Sequence, residues 1–147
     1  MTPEQSHARE EIRYTQSVYN SEGDRGRLDG LASAFTDDGI LELDRGSYQG
    51  HEAIKGALSG AVDAKRSQHL APEGPKVFLR HNLTTSRIEF VNDEEANAWT
   101  YFFVVTPIGP DHCGVYIDNF VKTGDRWLIK HRRVKIDWRN PASSLEG

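Results

Sequence analysis

The sequence has one cysteine and one methionine in 147 residues and no basic excess, with 18 Lys and Arg against 22 Asp and Glu for a formal net charge of −4. Cys113 alone can close no intramolecular disulfide and build no thiolate metal cluster, which fits a reducing compartment. Without a basic excess nothing is available to neutralise a phosphate backbone, so nucleic acid is not expected as a partner. No apolar run approaches the roughly 18 residues of a spanning helix, and Met1-Thr2-Pro3-Glu4-Gln5 shows no basic stretch leading into an apolar one. Neither a membrane nor the secretory route is expected, and the predicted location is cytoplasmic. Gly-x-Gly-x-x-Gly, P-loop and Gly-x-Ser-x-Gly patterns are missing too, which leaves nucleotide cofactors and a serine hydrolase triad without support. His7, His51, His69, His112 and His131 match no metal-ligand spacing, so no metal and no other cofactor is expected.

What is there is a globular composition, 37% hydrophobic, with three Trp, five Tyr and six Phe. That many aromatics exceed what a minimal core needs and would suit a lined pocket. Length and the lack of repeats or linkers predict one domain over 1–147 with an ordered core of about 5–140. Ala8, Ile12 and Tyr19 predict a first helix over 5–20. Leu28, Leu31, Ala32 and Phe35 predict a short second one, with Asp24 ahead of it as a capping residue. Ile54, Ala57, Leu58, Ala61 and Val62 predict a third, to about Lys65, after β-like passages at 40–43 and 47–49. Beyond the Pro- and Gly-containing connection at 70–75 the period changes to two, and four strands are predicted at 77–91, 96–106, 112–122 and 126–138. Short joins imply antiparallel pairing. Both faces of the second strand carry apolar groups, so both need cover. The expected fold class is α+β, three helices followed by a curved antiparallel sheet.

Asp24 reads in two ways, as a helix cap or as a carboxylate that fixes the tautomer of a histidine. His81, near the start of the first long strand, is either a half-buried structural residue or the base such a carboxylate would orient. His112 and Tyr116 share a strand face with Gly114 and Asp118. Of Arg132 and Arg133 strand parity sends only one inward, and the basic run around them also reads as a solvated edge. Tyr19 serves either core or pocket.

With the first helix, Asp24, the run Leu31-Ala32-Ser33-Ala34-Phe35-Thr36-Asp37-Asp38-Gly39, the run Tyr48-Gln49-Gly50-His51-Glu52-Ala53-Ile54 and the passage from Gly114 to Trp127 in place, nearly the whole chain resembles a SnoaL-like member of the nuclear transport factor 2-like superfamily. The resemblance implies a cone of curved antiparallel sheet closed by three helices around an apolar pocket. It is nearest to the group of scytalone dehydratase, bile-acid dehydratase and hexachlorocyclohexane dehydrochlorinase, which use an aspartate–histidine dyad without cofactor. Asp24 and His81 fall at the dyad positions, and Arg132, or Arg133 after a slip of one, at that of a pocket arginine. Tyr19, Leu41, Phe102, Val104, His112 and Tyr116 fall at substrate-lining positions. No counterpart stands on the strand bearing Phe102 for the second catalytic histidine of scytalone dehydratase. The implied activity is a cofactor-independent lyase, eliminating water, halide or an aldehyde, or an isomerase or cyclase, on a small apolar, aromatic or cyclic substrate. The alternative is a ligand-binding or oxygenase small-subunit-like module without turnover. Trp99, Tyr101 and Phe103 on one outer face predict a homodimer or homotrimer.

Overall fold

The computed structural model describes residues 1–69 and 78–145, with side chains described except at 61–69. The elements are α1 (Pro3–Asp24), α2 (Leu28–Ala32), β1 (Phe35–Leu43), β2 (Gly46–Gln49), α3 (His51–His69), β3 (Arg80–Asn92), β4 (Glu95–Thr106), β5 (Gly109–Thr123) and β6 (Arg126–Arg139). The predicted connection at 70–75 and the predicted strand start at Val77 lie outside the described residues.

Helix α1 starts earlier than apolar periodicity alone implies, because local chemistry fixes its end. Thr2 accepts from the Gln5 backbone N–H at 3.1 Å while the Gln5 side chain accepts from the Thr2 backbone N–H at 3.0 Å, a capping box with Pro3 as the first helical residue. It also runs four residues past the expected end. Gly26, at φ +72°, takes the left-handed position after the helix, with Gly26 N–H bonded to Gly23 O at 3.0 Å and Arg27 N–H to Glu22 O at 2.9 Å. Asp24 is therefore the last residue of α1. Arg27 occupies the N-cap of α2 without a side-chain bond, which corrects the reading of Asp24 as that helix's cap. Helix α2 also stops short of Phe35, because Phe35 opens β1 opposite Ile129 of β6.

The six strands form one curved, unclosed sheet in the order β2-β1-β6-β5-β4-β3. Pairing is antiparallel throughout except between β1 and β6, which run parallel. Along β4 the residues Ala96, Ala98, Thr100, Phe102, Val104 and Thr106 are buried and their neighbours Trp99, Tyr101 and Phe103 are exposed. The first set faces α1, which lies across that side of the sheet through Ala8, Ile12, Thr15, Gln16, Tyr19, Asn20 and Asp24. Thr15 Oγ1 donates to the Trp127 carbonyl, and Gln16 Nε2 donates to Thr100 Oγ1 at 3.0 Å. No helix among the described residues is long and apolar enough to cross a membrane.

Candidate active site

One stripe of α1 changes character halfway along. Ala8 and Ile12 are apolar, and at the same spacing of four Gln16, Asn20 and Asp24 follow, all buried. Their polar atoms must find partners on the sheet, since an unmet buried polar group is costly. Gln16 meets Thr100, Asn20 Oδ1 accepts from Tyr116 Oη at 3.1 Å, and Asp24 meets His81.

Asp24 holds His81 at two points. Its Oδ1 lies 2.6 Å from His81 Nδ1 and its Oδ2 accepts from the His81 backbone N–H at 2.9 Å. Ring and main chain of one residue are thus tied to one carboxylate, which fixes the ring's rotation and, through the Nδ1–H bond, its tautomer. Nε2 is the ring nitrogen on the side away from that contact. The side chains are 19% exposed for His81 and 9% for Asp24, so the imidazole remains reachable while the carboxylate is nearly closed off from water.

Register places the rest in rows across the concave face. His81, Val104 and His112 lie opposite one another on β3, β4 and β5, so their side chains share a face. The rings of His81, His112 and Phe102 form a triangle with centroids 6.1, 6.1 and 6.2 Å apart. In the next row Gly114 stands opposite Phe102, where a Cβ would sit 1.9 Å from the Lys135 carbonyl oxygen. Phe102 stacks on Tyr116, centroids 4.3 Å apart and 13° from parallel.

Further along, Ala98, Asp118, Arg132 and Leu41 form one row over four strands. Arg132 is fully buried, whereas Arg133 is exposed near Glu42, so parity turns Arg132 inward. Arg132 Nε and Nη2 each donate to Asp118 at 2.8 Å, and its guanidinium lies 3.9 Å from the Tyr116 ring centroid and 4.3 Å from that of Tyr19. Burial works against its charge, but the Asp118 carboxylate more than compensates and keeps it protonated. Burial pushes the Asp118 carboxyl up against the opposing pull of Arg132, and the two short N–H bonds match the ionised form. Burial likewise raises the Tyr19 and Tyr116 hydroxyls, so both stay neutral donors. Arg132 Nη1 and Asn20 Nδ2 are buried without a hydrogen-bond partner among the described residues.

The predicted site residues Tyr19, Asp24, Leu41, His81, Phe102, Val104, His112, Tyr116 and Arg132 therefore all come to the one face, Asp24 and His81 at one end and Arg132 at the other. Sequence reasoning did not single out Asn20, Asp111 or Asp118 as site residues. For Asn20 the signal was available in the fourfold spacing Ile12, Gln16, Asn20, Asp24. No group of three or more His, Cys, Asp or Glu that could hold a metal occurs among the described residues.

Among curated proteins none matches the chain. Solved structures do. Hexachlorocyclohexane dehydrochlorinase LinA-type3 from Novosphingobium barchaimii LL02 superimposes with a TM-score of 0.76 at 18% identity, over 98% of this chain and 96% of that one. A protein of Novosphingobium aromaticivorans assigned as a scytalone dehydratase gives 0.75 at 22% identity over 99% and 100%. A protein of Catenulispora acidiphila gives 0.74 at 26% identity over 90% and 94%. The model of the SnoaL-like domain matches residues 4–133, so this chain belongs to the SnoaL-like family, within the nuclear transport factor 2-like superfamily.

Proposed function

We propose that the chain is a cofactor-independent lyase that begins by taking a proton from a small, largely apolar, cyclic or aromatic substrate. The observation that carries this reading is the double attachment of Asp24 to His81, which leaves Nε2 as an oriented, reachable base. Asp24 offsets the charge that appears on the imidazole as the proton arrives. The C–H electron pair then flows into a new double bond as the bond to halide or water on the adjacent carbon breaks and that group departs, or into an enolate. Arg132 Nη1, the guanidinium nitrogen not committed to Asp118, faces the developing negative charge, while Tyr116, its hydroxyl donated to Asn20 and its ring stacked on Phe102, lines the wall. Tyr19, Leu41, Phe102 and Val104 supply the apolar wall, and Val104 separates the two histidines. The similarity to proteins named as a dehydratase and a dehydrochlorinase supports elimination as the reaction type.

The test is elimination from a panel of halogenated cyclohexanes and cyclic ketones bearing a β-hydroxyl or β-chloro group. General base catalysis contributes about 10² to 10⁴ in rate, so His81→Ala lowers kcat by that factor with its circular dichroism unchanged. A loss below roughly tenfold contradicts the assignment. Binding without elimination of any panel member by the wild-type protein points instead to a ligand-binding module.

We further propose that the outer face associates with a second or third copy. Trp99, Tyr101 and Phe103 are 39%, 53% and 40% exposed there, beside a groove of about 560 Å³ lined by Thr85, Arg87, Glu89, Val115, Ile117 and Lys135.

A further inference from the structure

His112 is built as carefully as His81, with an aspartate of its own. Its Nδ1 lies 2.7 Å from Asp111 Oδ1, and Asp111 is 2% exposed. That carboxylate is anchored by two more donors, Thr106 Oγ1 to Oδ2 at 3.1 Å and Ser143 Oγ to Oδ1 at 2.7 Å. Ser143 comes from the C-terminal turn, which is itself pinned to β5: Asn140 N–H donates to the Asp111 carbonyl at 2.7 Å and Asn140 Nδ2 to the Pro110 carbonyl at 2.9 Å. The chain beyond β6 therefore folds back to hold one carboxylate, and the carboxylate holds one imidazole.

The consequence lies at the other ring nitrogen. With Nδ1–H committed to Asp111, neutral His112 carries its lone pair on Nε2, which makes no hydrogen bond among the described residues. Burial lowers its pKa against the pull of Asp111, and the His81 and Arg139 charges lower it further, so near neutral pH the ring is an acceptor. The ring stands edge-on to that of His81, with the centroids 6.2 Å apart and the planes at 83°. We propose that His112 Nε2 accepts a hydrogen bond from a hydroxyl group of the ligand, that the ligand class is therefore an alcohol or phenol rather than a fully halogenated ring, and that Asp111 and Ser143 are positioning residues for this contact. A lone pair beside apolar walls discriminates between a donor and its methyl ether, because the ether leaves the acceptor unmet.

The inference rests on the proposed site but not on turnover, so a binding measurement separates its failure from that of the lyase reading. The probes are 2-naphthol and 2-methoxynaphthalene, alike in ring and oxygen and differing in the donor, titrated by calorimetry into the full chain at neutral pH. Wild type prefers the naphthol by about 5- to 100-fold. His112→Leu abolishes the preference and keeps affinity for the ether. Asp111→Asn and Ser143→Ala, which leave the imidazole present, each reduce the preference by loosening it. Imidazole ¹⁵N spectra of the wild type show His112 protonated at Nδ1 and bare at Nε2, with the Nε2 resonance shifting on adding naphthol. Equal affinity of wild type for the two probes, including failure to bind either, overturns the proposal. So does a preference that survives His112→Leu and vanishes in His81→Leu, or an Nε2–H tautomer at His112.

Discussion

At the residue scale the site is two carboxylate-held imidazoles at one end and a carboxylate-held guanidinium at the other. The Arg132–Asp118 pair is completely buried, a setting in which removing one partner strands the other's charge. Arg132→Met is expected to destabilise by about 3 to 5 kcal/mol in urea unfolding, and the double substitution with Asp118→Leu to regain most of that loss. If single and double variants are equally unstable, the pair serves the packing by its shape rather than its charge. Single-residue chemistry was only partly legible in the sequence. Asp24 and His81 stand out as residue types in expected places, but whether Asp24 capped a helix or met His81 depended on where α1 ends. Gly26 decides that, and the left-handed glycine that stops a helix is a readable signal. Asp111 was not readable in the same way, because its meaning comes from Ser143, 32 positions later.

At the scale of elements, register does the positioning. His81, Val104 and His112 align because β3, β4 and β5 keep register at that rung, just before the slip between Val104 and Val105, and Phe102 lies flat on Tyr116 of the neighbouring strand. An alanine at 114 meets a backbone carbonyl, which cannot swing aside as a side-chain end could. Gly114→Ala is thus expected to cost about 1 to 3 kcal/mol, seen as a lowered Tm, and to weaken ligand binding by shifting β5 against β6. An unchanged Tm contradicts the close approach. The strands of this half were legible from period-two alternation, and the helices from their apolar spacing. What the pattern could not show was the parallel pairing of β1 with β6, since pairing partners far apart in sequence leave no local trace. Phe35 illustrates this: its spacing extends α2, but its partner Ile129 draws it into β1.

For the whole molecule, Asp111 and His112 lower stability toward acid, while Asp118, raised by burial, pulls the other way. Burial opposes the Asp111 charge, but hydrogen bonds from His112, Ser143 and Thr106 outweigh it and hold the carboxyl below its ordinary 3.8. His112 is held below its ordinary 6.5, chiefly by burial. In both cases the unfolded chain binds the proton at a higher pH than the folded one, so stability is full above the unfolded values and falls as pH drops. The decline is expected to begin near pH 6.5 through His112 and to continue below 3.8 through Asp111. In His112→Leu the first stage disappears from a pH series of urea midpoints, and a decline unchanged by that substitution assigns it elsewhere. On the outer face, light scattering at micromolar concentration is expected to give a dimeric or trimeric mass, and a monomer contradicts the proposed association. The central claim is that Asp24-held His81 is a working base, and the most direct measurement is α-proton exchange of 1-tetralone in D₂O, which needs no leaving group. Deuterium incorporation is expected to be faster with wild type than with His81→Ala by about 10² to 10⁴, and equal rates for the two proteins contradict the account.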